Sequence, residues 1–305
     1  MKKFVVGSND ADRRLDKFLF KVMPNAGSGV IYKSLRKKHI KVNGKRVTDG
    51  SVKITEGDVL ELYINDDFFA DEKKLPLWTG VNPNLNVVYE DNHIIIMDKP
   101  SGMLSQGEED EESLEAHMRA YLYRKNEFDP LKENTFMPSL CHRIDRNTRG
   151  LVIGAKDGES LRILNEKIKM REIRKYYLCR TEGTPKPEKG EIKGWLKKDG
   201  KNRKMEFSKT EVKGGAFCHT IYEVIKDGKQ PLIEVELLTG RTHQIRACFS
   251  AMGCPLTGDV KYGASRDGKM DFQHLISYKI KFDFKENNGV LDYLKGKEIT
   301  INKGE

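Results

Sequence analysis

The chain has 305 residues, of which 37% are hydrophobic and 33% are charged, so it has enough apolar material for a folded core and is not disordered throughout. Its formal charge of +9 favours a polyanionic partner, nucleic acid first and an anionic membrane surface second. Because no apolar stretch approaches the ~20 residues of a spanning helix and the start lacks the core of a secretion signal, we predict a cytoplasmic protein that does not enter a membrane.

The first 66 residues are predicted to form a separate basic module, because they contain 14 Lys and Arg but only 8 Asp and Glu. Apolar residues at i, i+3, i+4 and i+7 between Leu15 and Val22 predict a first helix, and Ser28 is expected to cap a second. Asn43-Gly44 tolerates positive φ and predicts a tight hairpin between strands at 40–42 and 45–47.

A run of positive charge lies on the second predicted helix and the hairpin, without an acidic residue among them. Most charge runs are solvated faces. Here a helix and a hairpin of the same sign would repel each other without a polyanion, which favours binding to a phosphate backbone. The residues are Lys33, Arg36, Lys37, Lys38, Lys41, Lys45 and Arg46.

A linker is predicted at 67–84 and a larger domain at 85–305. Its strands and helices are mixed without regular βαβ alternation, which predicts the α+β class. The strands are expected at 85–89, 94–97, 151–153, 175–181, 217–224, 232–238 and near 280. Helices are expected from the acidic run 108–112 through Met118, over 161–168, and from about Thr242 to Met252.

Two polar clusters lie next to predicted strands, where a sheet would hold them rigidly. In the first, at 140–150, Asp145 stands between Arg143 and Arg146, and a simple structural ion pair would explain it. In the second, at 237–246, a strand gives way to a helix. Two arginines around that helix start would favour an anion, although they could also be structural.

Phosphate-loop, dinucleotide-loop, zincin and serine-hydrolase motifs do not occur in the sequence. The five cysteines form no C-x-x-C pair, which favours reduced thiols over a disulfide framework or a zinc site. We therefore expect no metal.

Five segments carry a family resemblance. The segment 142–150, HRIDRNTRG, resembles the HRLDxxTSG signature of the RluA class of pseudouridine synthases. The other four segments follow the same order as in that class. Residues 98–102 resemble its DKPxG turn, 175–183 its K-x-Y strand, 240–246 its later basic motif, and 255–263 the motif after it. Residues 1–66 are similar to the small RNA-binding domain of many members.

The sequence departs from the family pattern at a few positions. Ile144 replaces the usual Leu and is volume-neutral. Arg149 stands where Ser is common, and Ser105-Gln106 replaces a frequent Val-His pair. None of these changes removes a group that the chemistry needs.

The resemblance implies the pseudouridine synthase fold, with a mixed, mainly antiparallel sheet, and a reaction without cofactor or metal. The uridine glycosidic bond breaks, the uracil rotates, and carbon 5 joins the ribose. Asp145 would carry the chemistry, either by attacking the base or sugar or by removing the carbon-5 proton. Arg246 would pair with Asp145 and keep it ionised, and Tyr177 would stack on the uracil.

The resemblance also implies how the substrate is held. The target nucleotide must leave the RNA stack, and the guanidinium of Arg143 could fill the vacated place. Ile144, Lys175 and Arg241 are expected to contact the substrate as well. A basic stretch at 193–204, interrupted by Trp195 and Asp199, could add a phosphate contact or be a solvated hairpin.

The predicted partner is therefore RNA. The N-terminal module and residues 98–106 favour large-subunit ribosomal RNA, with tRNA as the alternative, and we expect a monomer. A non-catalytic RNA-binding or ribosome-assembly protein is a second class, against which Asp145, Tyr177 and Arg246 count because all are present. A metal-dependent nuclease would need clustered carboxylates, and Asp145 is alone in its loop.

Overall fold

The computed structural model describes residues 1–70, 74–108, 112–200, 204–266 and 272–302. The N-terminal part of these residues folds into two helices against a small antiparallel sheet with strand order β1-β4-β2-β3. Its elements are β1 (Lys2–Val5), α1 (Leu15–Val22), α2 (Ser28–Arg36), β2 (Ile40–Val42), β3 (Lys45–Arg46) and β4 (Val59–Leu62).

The local patterns explain most of this module. The apolar face of α1 is fully buried at Leu15, Phe18 and Leu19, as its spacing predicts. Asn43 and Gly44 both have positive φ, 52° and 74°, which gives the tight turn between β2 and β3. The predicted cap of α2 is wrong, since Ser28 is the first helical residue and no side chain caps the helix.

The remaining described residues form one large sheet flanked by three helices. The strands are β5 (Val87–Glu90), β6 (Ile94–Lys99), β7 (Ser139–Leu140), β8 (Arg149–Ala155), β9 (Ile173–Arg180), β10 (Lys189–Lys198), β11 (Met205–Ser208), β12 (Ala216–Lys226), β13 (Leu232–Leu237), β14 (Leu275–Phe282) and β15 (Glu298–Thr300). The helices are α3 (Leu114–Arg124), α4 (Gly158–Lys169) and α5 (Gln244–Ala251).

The strand order is β11-β10-β12-β13-β9-β14-β8-β6-β5, with β15 on β14 and β7 on β8. Among the described pairs, β8 and β14 run parallel and the others antiparallel. The α+β class and the mixed, mainly antiparallel sheet are confirmed.

Both faces of the sheet centre are buried, because successive side chains of a strand point to opposite sides. On β6, Ile95 and Met97 pack into the core that contains α3 and α5. Ile94 and Ile96 pack into the core that contains α4. The buried centre gives the loops at the strand ends a rigid base.

Several boundaries differ from the sequence predictions. Helix α3 is capped by Ser113, whose side chain accepts from the Ala116 amide, and the acidic residues 109–111 lie outside the described residues. Helix α5 begins at Gln244 and not at Thr242. Over the basic stretch, β10 and β11 form an antiparallel hairpin, and residues 201–203 of that stretch are not among those described.

The two parts touch through the turn before α1. Asn9 accepts from the Gly158 amide at 2.9 Å and donates to Glu133 at 2.8 Å. Asn134 donates to the Val5 carbonyl at 2.7 Å. In the segment predicted as the linker, Phe69 packs into the first core and Trp78 into the second.

Over the described stretches, none of the helices has the length and apolar character needed to cross a membrane.

Candidate active site

Asp145 lies on the loop between β7 and β8, close to where β8 begins. Gly150 follows the loop with φ of +126°, and a Cβ there would lie 2.2 Å from the Ser277 carbonyl oxygen of β14. A side chain at this position would therefore clash with backbone, which explains the glycine. The Asp145 side chain remains 24% exposed and faces a cleft.

Buried side chains fix the loop on both sides of Asp145. Lys99, at the end of β6, is fully buried, and its ammonium donates to the carbonyls of Pro100, Met103 and Arg146 at 2.7–2.9 Å. Burial lowers the pKa of Lys99 to about 8, although nearby carboxylates act in the opposite direction. All three of its protons are used to join the turn after β6 to the Asp145 loop.

Ser105 holds the residue just before Asp145. Its hydroxyl donates to the Ile144 carbonyl at 2.8 Å and accepts from the Ile144 amide at 3.2 Å. The Ile144 side chain packs into the core and is buried. The position of Asp145 is thus determined by buried contacts on each side.

Arg246, on the first turn of α5, pairs with two carboxylates. Its Nη1 lies 3.3 Å from Asp145 Oδ2, the pairing expected from the sequence. Its Nε and Nη2 donate to Asp259 at 2.7 and 2.8 Å in a bidentate arrangement. Burial alone would lower the pKa of Arg246, but the bonds with Asp259 and Asp145 raise it overall.

His243 and Tyr262 complete this side of the site. His243 Nε2 lies 4.0 Å from Asp145 Oδ2, and its Nδ1 lies 2.8 Å from the Tyr262 hydroxyl. The Tyr262 ring stacks under Arg246 at 4.9 Å. Burial lowers the pKa of His243, which favours the neutral imidazole, while Asp145 acts in the opposite direction.

Tyr177 projects from β9 into the same region and is buried. Burial raises its pKa above the ordinary value, and a hydrogen bond with Ser277 offsets part of the rise. The phenol is therefore neutral and can donate or accept a proton. Lys175 lies two residues earlier on the strand, and burial lowers its pKa. Its ammonium lies close to Gly240, where an added Cβ would be 4.0 Å from Lys175 Nζ.

The cleft beside Asp145 has a volume of about 780 Å³, within the ~300–1,000 Å³ typical of ligand pockets. Arg143 lines it and is exposed. Arg146 also lines it and donates to the Gly102 carbonyl, and Arg149 pairs with Asp98 at 2.8 Å. Among the described ion pairs, Asp145 meets Arg246 and His243 and neither Arg143 nor Arg146, so the structural pair within the loop does not form.

Gln244 organises the basic segment at the start of α5, a role that the sequence did not suggest. Its amide oxygen accepts from the Arg241 amide and the Thr239 hydroxyl at 3.0 and 2.8 Å. Its amide nitrogen donates to His219 and Thr220 on β12 at 3.1 and 2.9 Å. Lys99, Asp259 and Gln244 all lie inside segments that resemble family motifs, and that was the available signal.

The site combines one partly exposed carboxylate, a buried guanidinium, a neutral tyrosine and a cleft large enough for a nucleobase. Such a set suits nucleophilic or general-base chemistry on a base drawn out of a polynucleotide. Within the described residues, no group of three His, Cys, Asp or Glu is arranged to hold a metal ion.

The predicted RNA-binding residues of the first module lie on its surface. Six of the seven are exposed, and Lys41 is half-buried, 4.0 Å from Glu61. They belong to α2, the residues just after it, and the β2–β3 hairpin.

The sequence matches two family models. Residues 93–251 match the RNA pseudouridylate synthase family, and residues 13–60 match the S4 domain. An uncharacterized RNA pseudouridine synthase of Mycoplasma capricolum is 34% identical over 99% of this chain and 98% of its own. A protein of Rickettsia bellii named ribosomal large subunit pseudouridine synthase C is 32% identical over 94% and 93%.

Among solved structures, the human RNA pseudouridylate synthase domain containing 4 superposes with a TM-score of 0.55. It is 18% identical and covers 71% of this chain and 88% of its own, which supports the fold. The chain belongs to the RNA pseudouridylate synthase family, carries an S4 domain at its N-terminus, and acts on RNA.

Proposed function

We propose that this pseudouridine synthase modifies uridines in large-subunit ribosomal RNA and that Asp145 is its catalytic carboxylate. The observation that supports the site most directly is the Asp145–Arg246 pair, 3.3 Å apart at the wall of the cleft. The ribosomal substrate is supported by the name of the Rickettsia bellii relative and by the exposed basic face of the S4 domain.

In the proposed mechanism, the target uridine leaves the RNA stack and enters the cleft. Unstacking costs a few kcal/mol, which is offset when Arg143 fills the vacated place. In one route Asp145 attacks the base or the sugar, the glycosidic bond breaks, carbon 5 joins the ribose, and Asp145 is released. In the other route Asp145 removes the carbon-5 proton after the new bond forms. In both routes the carbon-5 proton is lost and the ring nitrogen that was bonded to the ribose gains one. Arg246 compensates the carboxylate charge throughout, because Asp259 and Tyr262 hold its guanidinium in place.

Tyr177 supplies the flat surface on which the free uracil turns. Its ring lies on a rigid strand, and its neutral hydroxyl can pass a proton to or from the base. Lys175 and Arg241, which line the same cleft, contact the phosphates of the substrate.

Pseudouridine mapping in total RNA from cells with and without this chain tests the substrate. We expect one or more sites to disappear from large-subunit ribosomal RNA. Sites lost only from tRNA would reject the ribosomal substrate, and an unchanged map would favour a non-catalytic RNA-binding role.

The Asp145→Asn variant tests the catalytic assignment. The amide keeps the shape but can neither attack nor accept the proton, so we expect turnover on unmodified ribosomal RNA to fall by more than ~10³-fold. RNA affinity should change less than about threefold, since the cleft keeps its cations. Asp227→Asn, at the far end of β12, is the matched control, and retained turnover in Asp145→Asn would reject the assignment.

A further inference from the structure

An exposed aromatic pair lies on the outer face of the β10–β12 ladder. Trp195 on β10 and Phe217 on β12 are directly opposite in register, with ring centroids 5.5 Å apart and planes at 75°. Phe217 is 39% exposed and Trp195 is half-buried. The strand neighbours Leu196 and Cys218 point the other way into the core, so this pair is not part of it.

The pair is tied to the active-site cleft through one residue. Arg241 Nε donates to the Phe217 carbonyl at 3.0 Å, and the Arg241 side chain is exposed and lines the cleft that contains Asp145. The side-chain oxygen of Gln244 accepts from the Arg241 amide and holds this backbone in place. Phe217 is therefore linked to the cleft by Arg241, and Trp195 lies next to it on β10.

Single exposed apolar side chains are common and need no explanation. Two adjacent aromatic rings beside a cation at the rim of an RNA-binding cleft form the combination that binds unpaired bases, since every base offers a flat face for stacking. A flipped uridine leaves its neighbours without a stacking partner on one side, and these neighbours must be held while the base reacts.

Building on the function proposed above, we propose that Trp195 and Phe217 form a stacking platform for an unpaired nucleotide next to the target uridine. Arg241 binds the phosphate between that nucleotide and the uridine. The occupant is the substrate RNA itself, because Arg241, a cation that lines the cleft, is bonded to the Phe217 carbonyl of the platform.

The first test compares Trp195→Ala and Phe217→Ala with wild type on an unmodified transcript of large-subunit ribosomal RNA. We expect the Kd for RNA to rise by about fivefold to 100-fold, from the typical strength of base–aromatic stacking, with kcat at saturating RNA unchanged within about twofold. Phe217→Tyr, which keeps a ring, should bind as wild type does. The salt dependence of binding should keep its slope, since stacking releases no counterions.

The matched control is Ile225→Ala, an apolar residue that is slightly more exposed (44%) than Phe217 and lies on the same strand, β12, at the end away from Arg241. It should leave RNA binding unchanged. If Phe217→Ala and Trp195→Ala bind RNA as tightly as Ile225→Ala, the platform does not exist. If all three weaken binding equally, the effect belongs to the two strands and not to the rings, and the proposal also fails.

Intrinsic fluorescence gives a second readout. The chain has two tryptophans, and Trp78 is buried in the catalytic core, so quenching on RNA binding should come from Trp195. We expect quenching in the wild type and in Asp145→Asn and none in Trp195→Phe. Quenching is independent of turnover, so an inactive wild type that still quenches would reject the proposed function alone, and an active wild type without quenching would reject the platform alone.

Discussion

Lys99 shows how one buried side chain determines the position of the catalytic loop. Its ammonium donates to the carbonyls of Pro100, Met103 and Arg146 and so joins the turn after β6 to the loop that carries Asp145. Because Arg146 directly follows Asp145, a shift of this carbonyl moves the carboxylate. A displacement of about 1 Å can lower a rate by ~10²-fold, so Lys99 acts as a positioning residue.

We predict that kcat falls as the pH rises above about 8. Burial lowers the pKa of Lys99 to about 8, and the neutral amine has too few protons for three carbonyls. Lys99→Met removes all three donors and should lower kcat by ~10²-fold at pH 7. In a pH–rate profile, the kcat of the wild type should fall at high pH toward that of Lys99→Met. We call this fall the alkaline limb, and the variant should lack it.

As the pH rises, the free energy of unfolding should increase while kcat falls. The folded pKa of Lys99 lies below the unfolded value of about 10.4, so the unfolded chain binds more protons between these pH values and deprotonation raises the free energy of unfolding. Lys156→Met, which removes a half-buried ammonium that binds Glu90 and Asp91, is the control and should keep the alkaline limb. An unchanged limb in Lys99→Met would contradict the positioning role.

The ion pair of Asp145 with Arg246 could be predicted, because both residues lie in segments that resemble family motifs. The second pair, Arg246 with Asp259, was not predicted although Asp259 also lies in such a segment, because the resemblance gave Arg246 only Asp145 as a partner. In the structure, Nε and Nη2 of Arg246 donate to Asp259, and Nη1 donates to Asp145. Sequence therefore identified the charges, and tertiary contacts determined which of them meet.

At the scale of elements, the β2–β3 hairpin carries two exposed cations, Lys45 and Arg46, at the edge of the small sheet. Counterion release lowers the slope of log K against log salt by ~0.7 per phosphate contact on single-stranded RNA. We predict that Lys45→Gln with Arg46→Gln weakens RNA binding and reduces the magnitude of that slope by up to ~1.4. Binding to the ribosomal transcript at several salt concentrations measures it.

The control for this prediction is Lys226→Gln with Lys229→Gln, which removes two exposed cations from the end of β12 away from the cleft. This double variant should keep the wild-type slope. A hairpin variant with an unchanged slope would show that its cations face solvent in the complex, the alternative that the sequence left open.

The elements that sequence predicted best have a local cause. Helix α1 has a continuous apolar stripe, and the Asn43-Gly44 turn needs two residues of positive φ. The start of α5 was misplaced because His243 adopts a left-handed conformation with φ of 52°, and the amide of Gln244 organises the preceding backbone. Those contacts reach β12, which is distant in sequence, so no local pattern contains them.

At the scale of the whole molecule, the S4 domain docks on the catalytic domain through a set of polar contacts, and Asn9 lies at its centre. The amide of Gly158, at the start of α4, donates to the Asn9 side chain. A Cβ at Gly158 would lie 2.2 Å from the Asn9 carbonyl oxygen, so the two surfaces meet without room for a side chain. Fixed docking raises the effective concentration of one RNA-binding surface for RNA held by the other.

We predict that Gly158→Ala separates the domains without unfolding either of them. Alanine favours the helix, so α4 should keep its stability, but the Asn9 backbone must move away. The KM for ribosomal RNA should rise by about tenfold as the two surfaces lose their fixed spacing, and X-ray scattering should report a larger radius of gyration. Gly7→Ala, where the added Cβ meets nothing within 4 Å, is the control beside the same contact. Equal KM values for the two variants would mean that the S4 domain binds RNA independently, because only Gly158→Ala alters the docking.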